Sequence, residues 1–188
     1  ISIPVGFLCT ILSVVAGGTV GAVAAYYGGR VDNLIMRCVD IVMSIPHMLL
    51  AIAIAAALGN GVRNLILAIS LGTMPLYARV VRSCILTVKE KDYIESSRAI
   101  GANTGRLILK HMLPNCLGPI IVQATFSVAA GILTIASLSY VGLGITPPTP
   151  EWGSMLSAGK QFLQTNPHML IFPGLMILIT VLCFNLLG

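Results

Sequence analysis

The sequence predicts an all-α, polytopic helical membrane protein. Three observations carry this. The chain has 188 residues, of which 56% are hydrophobic and 9% charged, with mean hydropathy +0.95; a soluble domain carries about 25% charged residues. Five apolar stretches approach the roughly 20 residues a helix needs to cross a bilayer. No stretch shows the ten-residue alternation of a membrane β-strand, and lipid cannot satisfy an open backbone.

The predicted spans are Ile3–Tyr27, Ile41–Leu58, Leu65–Val81, Leu117–Val141 and Met169–Leu187. The first has neither the basic leader nor the small-residue cleavage site of a signal peptide. It carries Gly17 and Gly21, a spacing that lets helices approach closely but also occurs incidentally, because glycine is common in membrane helices. Arg30–Asp40 is amphipathic, with Val31, Leu34, Ile35, Cys38 and Val39 at helical spacing. It lies at the interface or extends the next helix.

Asp40, Ser44, Pro46 and His47 open the second span. Proline breaks the backbone ladder, and ionisable groups at membrane depth are functional candidates. For Asp40 the favoured reading is an interfacial acid paired with Arg37 or a partner. Pro75 marks a second kink, and Arg79 and Arg82 are expected to snorkel to the surface. Gln123, Ser127, Thr134, Ser137 and Ser139 recur along the fourth span, which suits a buried interhelical face or a polar pathway. The 142–167 connection holds three prolines between Thr146 and Gly153, Trp152 as an interfacial anchor, and a short helix over Gly153–Gln164.

Charge sets the orientation. Nine of the eleven basic residues fall on one side: Arg30, Arg37, Arg79, Arg82, Lys89, Lys91, Arg98, Arg106 and Lys110. Arg63 and Lys160 fall on the other. Basic loops stay cytoplasmic, so the 89–114 segment is expected inside and 142–167 outside. The basic residues do not interleave with aromatics on a soluble face, which disfavours nucleic acid as a partner. Five scattered cysteines show no metal-ligand clustering, so no metal or cofactor is expected.

Lys89–Pro114 is a polar island in this apolar chain. Asp92 and Glu95 fit a capping box, with a helix over Tyr93–Ile100 and an apolar face of Tyr93, Ile94, Ser97 and Ile100. Gly101 suits the left-handed stop. Asn103 or Thr104 caps a second helix, Gly105–Met112, and Pro114 begins the next span. Two short helices and a sharp turn result.

The island resembles the EAA loop of ABC importer permeases: Glu-Ala-Ala, three residues, Gly, nine residues, Ile, one residue, Leu-Pro. Glu95, Gly101, Leu113 and Pro114 match; Ser96 and Ser97 replace the alanines and His111 replaces the isoleucine. The segments YGGRVD (Tyr27–Asp32), MRCVD (Met36–Asp40), SYVGLG (Ser139–Gly144) and PPTPEWG (Pro147–Gly153) are similar to the second, C-type permease of the dipeptide/oligopeptide/nickel branch.

This resemblance implies a type I ABC importer transmembrane domain, with five of six spans present and the N-terminal one missing. It further implies one permease domain over 1–188, a coupling loop over 89–114 and an extracytoplasmic loop over 142–167. Asp92, Glu95, Ser96, Ser97, Ile100, Gly101, His111, Leu113 and Pro114 would serve ATPase coupling in the plasma membrane. Implied partners are ATP-binding cassette subunits, a sister permease in a heterodimer and an extracytoplasmic solute-binding protein. The chain has no GxxxxGK[ST] phosphate loop, so ATP hydrolysis belongs to a partner and no catalytic residue is expected. The solute would be a peptide; nickel or another small solute is the alternative. A membrane-embedded hydrolase is disfavoured because HExxH and GxSxG are missing. An ion-coupled transporter would need ionisable groups inside the spans.

Overall fold

A computed structural model describes residues 1–145 and 147–188. Thr146, first residue of the proline-rich loop, lies outside the described residues. Described elements are helical: α1 (Ser2–Tyr27), α2 (Gly29–Met43), α3 (His47–Leu58), α4 (Val62–Lys89), α5 (Asp92–Ala99), α6 (Thr104–Arg106), α7 (Leu117–Tyr140), α8 (Trp152–Gly159) and α9 (His168–Leu187). A π-helical turn (Leu107–Met112) and a 3-10 turn (Leu113–Cys116) join α6 to α7. Four helices are long and apolar enough to cross a membrane, or five if the bent α2–α3 pair counts as one span.

α1 packs along α4, with α7 against both. Gly17 and Gly21 decide the α1–α4 contact. A Cβ on Gly17 would run into the Met74 carbonyl, and one on Gly21 into the Ala78 carbonyl. The GxxxG spacing is therefore a close-approach face. Ser13 reinforces the seam, its hydroxyl 3.1 Å from the Ser70 carbonyl and 2.6 Å from the Thr73 hydroxyl. The core has two halves. Val5, Cys9, Leu65, Ile69, Ile135 and Leu138 fill the end away from the island. Ala25, Val81, Ile85, Ile94, Met112 and Cys116 fill the island end.

The second predicted span is not one helix. It breaks at Ser44–Pro46, and its two parts are bent by 81°. Pro46 takes extended backbone (φ −51°, ψ 126°) and precedes α3, because proline supplies no N–H to continue the ladder. α2 instead is pinned to α4 by ion pairs. Arg82 grips Asp32 with two 2.5 Å bonds, and Arg79 reaches Asp40 at 2.6 Å. One expectation is corrected here: Asp40 pairs with Arg79 of α4 rather than with Arg37.

In the 142–167 connection the helix is shorter than predicted, ending at Gly159 before a 3-10 turn over Lys160–Phe162. Glu151, which sequence reasoning passed over, is 2% exposed. It caps α8 by accepting from the Ser154 N–H (2.8 Å) and accepts from the Ser2 hydroxyl (3.1 Å). That ties the loop to the start of α1.

Candidate functional site

The 89–114 island closes one end of the bundle. α4 continues as one helix through Pro75 to Lys89, and a tight turn over Glu90 and Lys91 leads into α5. The predicted capping box does not form. Lys91 is the N-cap, no side chain caps the helix, and Asp92 is already helical. Asp92 and Glu95 both lie in the first turn, where they complement the helix dipole instead.

One side chain docks α5. Ile94, 1% exposed, enters the core beside Val88, Met112 and Cys116. The rest of the expected apolar face does not follow it: Tyr93 is 40% exposed and Ile100 87%. Glu95 and Ser96 are exposed, and Ser97 is half-buried. The two serine hydroxyls bond back to their own helix, Ser96 to the Asp92 carbonyl (2.9 Å) and Ser97 to the Tyr93 carbonyl (2.7 Å). With their hydroxyls so engaged, these serines offer a surface close to that of alanine.

Gly101 ends α5 at φ +85°. The Ala102 N–H donates to the Ser97 carbonyl (3.1 Å) and the Gly101 N–H to the Arg98 carbonyl (3.0 Å). That pairing is a Schellman motif. Asn103 then caps the next segment, its side chain accepting from the Arg106 N–H at 2.8 Å.

The second island helix is not a separate rod. Thr104–Tyr140 forms a 37-residue helical run, so the return arm is the root of the following span. Pro114 sits at the start of the 3-10 turn. It has no N–H to donate, and the regular ladder is replaced there by π and 3-10 turns. The Asn115 carboxamide donates to the His111 carbonyl at 2.6 Å.

The predicted residues therefore divide. Ser97, Ile100 and His111 share a groove of 270 Å³ with Arg106 and Lys110. Asp92, Glu95 and Ser96 are exposed on α5, and Leu113 packs against the core. Pro114 is exposed at the root of α7.

Two anchors were missed. Lys89 donates to the terminal carbonyls of α1, Ala25 (3.2 Å) and Tyr26 (2.7 Å), which have no helical partner of their own. The Tyr26 hydroxyl accepts from Thr104 (3.2 Å), and Lys89 and Arg98 lie 5.8 and 6.0 Å from its ring centre. A basic residue in a helix's last turn and a tyrosine at a helix end were the available signals. Both are common at membrane interfaces. Among the described residues, no group of three His, Cys, Asp or Glu could hold a metal.

Comparison with known proteins gives a consistent result. The chain is 44% identical over its full length to the dipeptide transport system permease protein DppC of Alkalihalophilus pseudofirmus, and spans 62% of that relative. It is 42% identical to the glutathione transport system permease protein GsiD of Pectobacterium atrosepticum, again over 100% of this chain and 62% of the relative. A chain from an inward-facing MetNI methionine ABC transporter superposes with a TM-score of 0.78 at 23% identity, over 100% of this chain and 89% of that one. At that identity the likeness concerns the fold alone: the two chains share one helical transmembrane architecture. Residues 17–188 match the family of binding-protein-dependent transport system inner membrane components. The chain belongs to that family, whose members are multi-pass membrane proteins.

Proposed function

We propose that this chain is a permease subunit of an ATP-driven importer and forms half of a translocation pathway for short peptides. The family supports transport, and the dipeptide and glutathione transport of the relatives favours peptides. Residues 1–188 act as one permease domain, with 89–114 as a cytoplasmic coupling loop and 142–167 outside. Energy comes from ATP-binding cassette subunits, solute from an extracytoplasmic binding protein, and the other half of the pathway from a sister permease.

One observation carries the coupling role: the contrast along α5. Ile94 is locked into the bundle, while Glu95, Ser96 and Ile100 project from it. A helix held by its root with an exposed tip can pass a partner's movement to the spans behind it. Asp92, Glu95, Ser96 and Ile100 would meet the ATPase. Ser97 and His111 would shape the adjoining groove, Gly101 would set the turn, and Leu113 and Pro114 would anchor the return arm.

Crosslinking tests this reading. Cysteine at position 96, with the five native cysteines replaced, should crosslink to the ATPase encoded beside this gene, in an ATP-sensitive manner. A cysteine freely labelled from the cytoplasm that never crosslinks would make the island a solvated loop.

A further inference from the structure

The break between α2 and α3 places His47, an exposed residue, beside the middle of α4. On α4, Gly72 stands midway between Arg63 and Arg79, about 13 Å of helical rise from the former. His47 packs there: a Cβ on Gly72 would lie 3.4 Å from its carbonyl. An ionisable side chain at such a depth in a membrane protein is a functional candidate. An open cavity of 340 Å³ meets it, lined by His47, Thr73, Gln123, Phe126 and Ser127 among others. That volume suits a small ligand.

Polar side chains converge on the cavity from separate elements, His47 from α3 and Gln123 and Ser127 from α7. Neither the imidazole nor the Gln123 carboxamide bonds to another described residue; the Gln123 backbone carbonyl alone is engaged, by Tyr77 at 3.5 Å. Lipid would leave both groups unsatisfied, at a cost. The same side of α7 continues as a stripe. Gln123, Ser127, Ala130, Thr134 and Ser137 follow three- and four-residue spacing, which keeps them on one helix face. Elsewhere on α7, Ile121 and Leu133 are over half exposed and purely apolar, as a lipid-facing surface requires.

We propose that His47, Gln123 and Ser127 form a solute-contacting station at mid-depth of the pathway, taking the amide and carboxylate groups of a short peptide. The station rests on the importer reading above. Imidazole and carboxamide N–H groups donate to peptide carbonyls and carboxylate. The carboxamide oxygen and the Ser127 hydroxyl accept from peptide N–H groups. These are the complementary functions of a peptide, concentrated where the chain otherwise has few.

The test uses the complete transporter in proteoliposomes, with native cysteines replaced and cysteine placed singly at 47, 123 or 133. A charged methanethiosulfonate reagent should label positions 47 and 123 but not 133, and dialanine should slow labelling at the first two. Positions 47 and 123 as silent as 133 would overturn the station, because lipid or a partner helix would then cover that face. Labelling that dialanine leaves unchanged would also overturn it, by making the cavity a water-filled space without solute contact. A second measurement is the apparent KM for uptake. His47→Leu should raise it about tenfold, the effect of one lost charge-assisted hydrogen bond, and His47→Gln should restore most of it. An unchanged KM in His47→Leu would count against the station. Wild-type vesicles with no ATP-driven dialanine uptake would sink the importer reading, whereas normal uptake with silent positions 47 and 123 sinks the station alone.

Discussion

At the scale of single residues, α2 is held by two ion pairs of unequal worth. Asp32 and Arg82 make a two-pronged contact, with their side chains 11% and 32% exposed. Asp40 and Arg79 share a single bond, with side chains 57% and 50% exposed. An exposed pair contributes about 0–1 kcal/mol, since water screens it. A bidentate, part-buried pair loses more when one partner is removed, because the charge left behind is less well hydrated. A double-mutant cycle of Asp32→Ala and Arg82→Ala, read by thermal unfolding in detergent, should thus give a coupling energy well above that of Asp40→Ala and Arg79→Ala. Equal couplings would mean that the two-pronged geometry does not persist. The sequence offered these four charges but not their pairing. Asp32 and Arg82 are fifty positions apart, and only the docking of α2 on α4 brings them together.

At the scale of elements, what was legible followed from local rules. The apolar runs gave α1, α4, α7 and α9, because a helix needs a fixed length to cross lipid. Gly101 read correctly as a helix stop because its positive φ suits glycine. The errors came where a local rule competed with tertiary context. Asp92 and Glu95 have the spacing of a capping box, yet α5 starts one residue earlier, with Lys91 at the N-cap and Ile94 buried in the core. The 89–114 return arm read as a separate helix because Pro114 signals a boundary. The chain instead passes the proline through π and 3-10 turns. Glu151 escaped notice because one acid in a proline-rich loop carries no periodic signal. Its burial makes a direct prediction. Glu151→Ala removes the α8 cap and the Ser2 contact together, and should destabilise the protein by about 1–3 kcal/mol. Limited proteolysis of the 142–167 loop should then accelerate. Unchanged protection would show that prolines and packing hold the loop without the acid.

At the scale of the whole molecule, the proposed coupling role would make α5 a lever with a fixed root. Ile94 enters the same core cluster as Ala22 and Ala25 of α1, Val81 and Ile85 of α4, and Met112 at the root of α7. Lys89 and Tyr26 tie the ends of α4 and α1 to that region. A displacement of α5 is therefore felt by three spans at once, because packed interiors transmit strain rather than absorb it. Coupling of this kind needs the turn after α5 as much as α5 itself. Gly101 sits at φ +85°, while proline is locked near −65°; Gly101→Pro must therefore redirect the chain between α5 and its return arm. Glu95→Lys leaves the backbone alone but reverses the charge on the exposed face and opposes the helix dipole. Both variants should insert normally, since the apolar spans are untouched. In proteoliposomes with the ATPase, both should lose most solute-stimulated uptake while nucleotide hydrolysis continues. Glu95→Gln, which keeps the shape and removes only the charge, should fall between Glu95→Lys and the wild type. Full uptake in both Gly101→Pro and Glu95→Lys would dissociate the island from transport and overturn the proposed coupling role.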